Sequence, residues 1–176
     1  SAGGFDQASV EGFTIHGGHS TEGLETQIGY AVTGRLLGAS VRSKRGLRVG
    51  DVLVLTKQLG VGLIFAAAMQ RQIESGAIEA DIKAMLQSNR NAVMALDELD
   101  VSAMTDVTGF GLAGHLSEMV QGDEKGVAID FNALPVLPGV DSLLAQTSVE
   151  SSLSSHNRAA VDGWLNAQPA STADEA

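Results

Sequence analysis

The pattern of apolar residues predicts an α/β (α+β) domain in which helices pack on a mixed sheet. Three observations carry that expectation. Short apolar runs at Ile28–Val32, Val52–Leu55 and Val127–Phe131 read as strands. Longer stretches between them repeat apolar residues at helical spacing, as in Leu112, Leu116, Met119 and Val120. Glycine and proline separate the two kinds of segment, which suits about four strands and four helices in alternation. The 176 residues are 44% hydrophobic but only 4% aromatic, so the core must be built from Ala, Val, Leu, Ile and Met.

In chain order, residues 1–13 are small and polar and read as a flexible leader or a cloning remnant. Residues 14–165 form the domain, and 166–176 a small, acidic, mobile tail. Gly17 and Gly18 allow a tight turn or a close approach to a ligand, and His19 and Ser20 place donors beside them. By residue type alone this is equally a surface turn. Ile28–Gly34 is the first strand. Arg35, Arg42, Lys44, Arg45 and Arg48 then gather most of the basic residues, as a solvated loop or a face for phosphates. Val52–Thr56 reads as a buried strand, with Lys57 either capping its end or meeting a phosphate. Val61, Ile64, Phe65, Ala68, Gln72 and Ile73 mark a helix face that ends at Gly76. A second helix is expected from 79 to 99, with the stripe Ile82, Met85, Leu86, Asn89, Val93 and Leu96 facing inward. Asn89, the polar member, needs a backbone partner there.

The stretch from Ala103 to Leu112 holds the most chemistry. Met104 ends an apolar run, Asp106 and Thr108 follow in the connection, and Gly109 and Gly111 keep bulk away from the backbone. A helix then runs to Gly122, which suits a C-cap. The open amides and positive dipole end of that helix attract anions such as phosphate. A neighbouring carboxylate suits the hard cation, Mg²⁺, that travels with phosphate. The same residues also describe a turn in which Asp106 or Thr108 merely caps the helix. His115, in line with Leu112 and Met119, reads as a packed histidine rather than a ligand. Beyond lie a strand at Gly126–Phe131, a proline-rich lead into a short helix ending at Leu144, a serine-rich loop from Ser148 to Asn157 and a last helical turn around Trp164.

A formal net charge of −10 and a pI near 4.6 argue against a general nucleic-acid binder. With no cysteine, thiolate catalysis, disulfides and cysteine-type zinc sites are excluded within this sequence. No apolar run is long enough to cross a bilayer, and the expected location is cytoplasmic.

Met104-Thr105-Asp106-Val107-Thr108-Gly109-Phe110-Gly111-Leu112, with Gly114-His115-Leu116 and Glu118-Met119 after it, resembles the signature of the selenophosphate synthetases (selenide, water dikinases) in their C-terminal domain. Gly17-Gly18-His19-Ser20, Gly29-Tyr30-Ala31-Val32-Thr33-Gly34 and the Leu134–Gly139 segment occur in that family's order. Leu55-Thr56-Lys57, with Gly60 and Gly62, is also similar to the wider group that includes aminoimidazole ribonucleotide synthetase. The resemblance covers roughly residues 14–145 and extends more weakly to 160. It implies the C-terminal domain of the aminoimidazole ribonucleotide synthetase-like fold, in an enzyme that makes selenophosphate, AMP and phosphate from selenide and ATP with Mg²⁺. It implies that Gly17, Gly18 and His19 reach nucleotide at a homodimer interface and that Asp106 binds metal, supported by Thr108, Gly109 and Lys57. It places the catalytic residues in an N-terminal domain absent here, so this chain alone is expected to be inactive. The family's later Asp-Pro-Gln-Thr-Ser-Gly-Gly segment is also absent. A related synthetase with another substrate, or a structural dimerisation module, are the alternatives.

Overall fold

A computed structural model gives the fold and describes residues 2–35, 41–73, 75–122, 124–145, 149–151 and 153–164. The chain divides into two compact units, Ser1–Val41 and Arg42–Ala176. In the first, helix α1 spans Ala2–Glu11 within the stretch expected to be a leader. One side-chain bond, from Gln7 Nε2 to Glu11 Oε1 at 2.9 Å, ties its last turns at i, i+4 spacing. From there to residue 35 the chain forms neither helix nor strand and bends at residues 24–25.

The second unit holds six helices among its described residues: α2 (Val61–Met69), α3 (Ser75–Leu86), α4 (Arg90–Ala95), α5 (Gly111–Val120), α6 (Val140–Leu144) and α7 (Ser154–Val161). A short 3-10 turn at Phe131–Ala133 adds to them, capped by Asp130, whose carboxylate accepts from Asn132 N. The helices serve two apolar clusters. In one, Ile64 and Ala67 of α2 pack with Leu137, Val140 and Leu143 around α6. In the other, Leu116, Met119 and Val120 of α5 pack with Leu47, and Val127, Ile129 and Trp164 close the edge. Each of these large side chains contributes about 1.5–3 kcal/mol by leaving water.

The expected mixed sheet is overturned. Among the described residues the only strand-like pairing is one isolated parallel bridge, Leu59 with Val136. Leu59 N donates to Pro135 O at 2.9 Å, and Leu137 N donates to Leu59 O at 2.8 Å. The segments read as strands form no ladder and no α-helix. Val32 is 91% exposed, Val52 84% and Val54 73%. A period-2 or uniformly apolar run reports an extended conformation; a sheet also needs a neighbour in register to take up every N–H and C=O. No such neighbour is present for these runs among the described residues. Where cover does exist, the alternation still holds: Val127 and Ile129 turn to the second core while Ala128 and Asp130 face solvent.

The long helix expected over 79–99 is two helices. The chain breaks after Leu86, and Ser88 Oγ accepts from Arg90 N as the next helix starts, since serine competes for backbone donors. The buried face of α3 also differs from the expected stripe: Asp81 is inside, while Ile82, Met85 and Leu86 are 42, 48 and 74% exposed. Asn89 sits at the start of α4, where its backbone carbonyl accepts from Val93 N. The serine-rich stretch expected to be a loop holds the first turn of α7 from Ser154. The acidic tail 166–176 lies outside the described residues. Three of the basic residues at 42–48 pair with carboxylates, Arg42 with Asp97 at 2.8 Å, Lys44 with Glu118 at 3.1 Å and Arg48 with Asp100 at 2.9 Å, while Arg45 donates to Gln121 O at 3.4 Å.

Candidate functional site

The turn before α5 is set by three interactions that do not involve the side chain of Asp106. Gly111 opens the helix with φ +69°, a value that favours glycine, and its N–H donates to Thr108 O at 2.9 Å. From α7, Asn157 Nδ2 donates to Gly109 O at 2.8 Å. A side chain on Gly109 would sit 3.2 Å from Leu153 Cδ1, so this glycine keeps the turn close to the start of α7. From within α5, His115 Nε2 lies 3.1 Å from Thr108 N and 3.2 Å from Thr108 Oγ1.

These contacts leave Asp106, Thr108 and Gly109 exposed at the amino end of α5. No side chain caps that end. Asp106 does not act as a cap, and its carboxylate makes no hydrogen bond or ion pair with the described residues; only its backbone carbonyl is used, accepting from Thr105 Oγ1 at 3.3 Å. A groove of about 330 Å³ opens beside the turn, lined by Phe110, Gly111 and Gly114 of the α5 end and by Asn157, Arg158 and Val161 of α7.

One carboxylate fits Mg²⁺ in a limited way. That ion keeps several waters and takes one or two carboxylates together with substrate phosphates. Among the described residues no group of three or more histidine or acidic side chains is placed to hold a metal by itself. Asp106 could offer such an ion one ligand, and its other ligands would have to come from elsewhere.

The other residues expected at the site lie as follows. Lys57 Nζ binds the carbonyls of Gln87 and, at 3.4 Å, Ala84, where it satisfies the free end of α3 and suits its negative dipole end. Gly17, Gly18 and His19 belong to the first unit and are exposed. Neither glycine has a positive φ, and a side chain on either would meet nothing within 4 Å. Neither backbone conformation nor packing within the described chain requires glycine there.

Two features escaped the sequence reading. Behind the turn, His115 is 6% exposed and has Glu118 Oε2 3.5 Å from its Nδ1, with Lys44 bonded to the same carboxylate oxygen. The Lys44 hydrogen bond holds the Glu118 carboxyl below its ordinary range. The i, i+3 spacing of His115 and Glu118 was visible in the sequence; Lys44, distant in the chain, was not. Asn157, which anchors Gly109, had no local signal either.

The comparisons with known proteins agree on one lineage. The family described as AIR synthase related protein, C-terminal domain, matches residues 48–157. The chain is 42% identical over 142 residues to the selenide, water dikinase of Nitratidesulfovibrio vulgaris (strain DSM 19637 / Miyazaki F), covering 80% of this chain and 41% of that protein. It is 37% identical over 144 residues to the selenide, water dikinase of Geobacter metallireducens (strain ATCC 53774 / DSM 7210 / GS-15), covering 82% and 42%. With the selenide, water dikinase of Clostridioides difficile (strain 630) it shares 34% over 137 residues, covering 78% and 39%. The chain thus spans about two-fifths of the length of these curated relatives. The match across residues 48–157, which contains the Asp106 turn and α5, means that the chain belongs to the AIR synthase related family, as its C-terminal domain.

Proposed function

We propose that this chain is the C-terminal part of a selenide, water dikinase, an enzyme that forms selenophosphate, AMP and phosphate from selenide and ATP. The observation that carries the reading is the Asp106 carboxylate, exposed and unengaged on the turn that leads into the open amino end of α5. A phosphoryl group in transfer needs cations and donors placed around its oxygens. Asp106 supplies one oxygen ligand to Mg²⁺, which would neutralise phosphate charge when bound, and the backbone amides of α5 offer donors. Thr108 and Gly109 shape that turn. Gly17, Gly18 and His19 contribute nucleotide contacts at a homodimer interface, where glycines that nothing in this chain requires leave room for the ligand to approach. Catalytic groups come from the remainder of the enzyme, in an N-terminal domain, and the 176 residues alone are inactive.

The test is selenide-dependent AMP and selenophosphate formation followed by ³¹P NMR. In the complete enzyme, Asp106→Ala should lower kcat by a hundredfold or more, about 2.7 kcal/mol of lost transition-state stabilisation. Full activity in that variant would leave the turn a structural element only. Selenide-stimulated AMP formation by the 176-residue chain alone would contradict its assignment as an incomplete site.

A further inference from the structure

His115 Nε2 lies 3.1 Å from the backbone N–H of Thr108, which can only donate, and 3.2 Å from Thr108 Oγ1, whose O–H can turn to the same nitrogen, so an unprotonated Nε2 satisfies both contacts. A neutral imidazole then carries its proton on Nδ1, the nitrogen that faces Glu118 Oε2 at 3.5 Å. That separation is electrostatic rather than a formed hydrogen bond, and Nδ1 is buried with no other partner. The carboxylate is itself held by Lys44 Nζ at 3.1 Å, so it presents negative charge to the ring's N–H. The ring is packed in place, 6% exposed, with Phe110 tilted 44° against it at 5.8 Å between centroids. A chain of contacts thus runs from Lys44 through Glu118 and His115 to the amide two residues after Asp106.

We propose that His115 is a positioning residue: as its Nδ1–H tautomer, backed by Glu118 and Lys44, it pins the Thr108 amide and thereby fixes where Asp106 stands before α5. The inference rests on the reading of Asp106 as a metal ligand for its functional consequence, but not for its structural content. It assigns His115 no contact with substrate. Its work is to keep an otherwise exposed turn in one conformation, because a ligand on a loop is only as well placed as the bonds that hold the loop.

Two measurements on this chain test it. Ring ¹⁵N chemical shifts and long-range ¹H–¹⁵N correlations should show His115 as the Nδ1–H tautomer in the wild type, and a larger Nε2–H share in Glu118→Ala, which removes the negative charge facing Nδ1. An Nε2–H ring in the wild type overturns the proposal. Amide exchange at Thr108 should be slow in the wild type although the residue is exposed. It should quicken about tenfold in His115→Phe, which keeps the ring but has no acceptor, and return in His115→Gln, whose amide oxygen can accept. Unchanged exchange in His115→Phe overturns the proposal. If His115→Phe fails to fold, the wild-type tautomer and exchange rate still decide it. In the complete enzyme, the Mg²⁺ concentration for half-maximal rate should rise about tenfold in His115→Phe and recover in His115→Gln. A protected Thr108 with no Mg²⁺ response at Asp106 would sink the metal reading alone. A Mg²⁺ response without Thr108 protection would sink the positioning role alone.

Discussion

Replacing Asp81 with asparagine should stabilise this domain at neutral pH and leave it unchanged in acid. Asp81 lies on α3 with no exposed surface, and neither carboxylate oxygen has a hydrogen-bond partner among the described residues. α2, packed against α3, carries no charged residue at all. Burial raises the Asp81 pKa above its ordinary value, and no opposing charge counters it. The sign follows. A carboxyl whose folded pKa exceeds its unfolded value, about 3.9, keeps its proton longer in the native state. Its stabilising share is complete below the unfolded pKa and is lost as pH rises through the folded one. Asparagine is neutral and nearly isosteric, so wild type and Asp81→Asn should match near pH 3.5 and diverge upward. Asp81→Leu also removes the stranded polar atoms, which cost about 1–3 kcal/mol when buried unpaired, and should gain roughly that amount at neutral pH. Urea unfolding across pH 3.5–8 measures both. Parallel pH profiles for wild type and Asp81→Asn would refute the reasoning, as would a loss of stability in Asp81→Leu.

Gly60→Ala should cost roughly 2–4 kcal/mol, since φ is +126° and the new Cβ would sit 2.3 Å from Val140 Cγ2; a thermal melt reads it. Lys57→Met should lose about 0.5–1.5 kcal/mol by freeing the Ala84 and Gln87 carbonyls, with faster amide exchange confined to the end of α3. Asp106→Ala should change stability by no more than about 0.5 kcal/mol, because its exposed carboxylate bonds to none of the described residues, and urea midpoints would show it. Any larger loss would mark Asp106 as a structural residue.

Features that depend on near neighbours were legible from residue order alone. The 3.6-residue recurrence of Leu112, Leu116, Met119 and Val120 placed α5 and its buried face, and the glycine at 122, with φ +84°, marks its end. Alternation at Val127 and Ile129 named the side chains that turn inward. The motif around Asp106 located the candidate site and led to the family. Features that depend on distant partners emerged with the folded chain. Whether an apolar run becomes a strand rests on a second segment arriving in register, and at 28–32 and 52–55 none does among the described residues. Which face of α3 is buried rests on the segments packed against it rather than on the helix's own periodicity, and Asp81 lies inside. The basic cluster at 42–48 found its acids at 97, 100 and 118, and the turn bearing Asp106 is held from Asn157 and, through His115 and Glu118, from Lys44. Local conformation follows from side-chain sterics and spacing along a few residues; pairing across the chain follows from which surfaces meet, and no short window of sequence contains that.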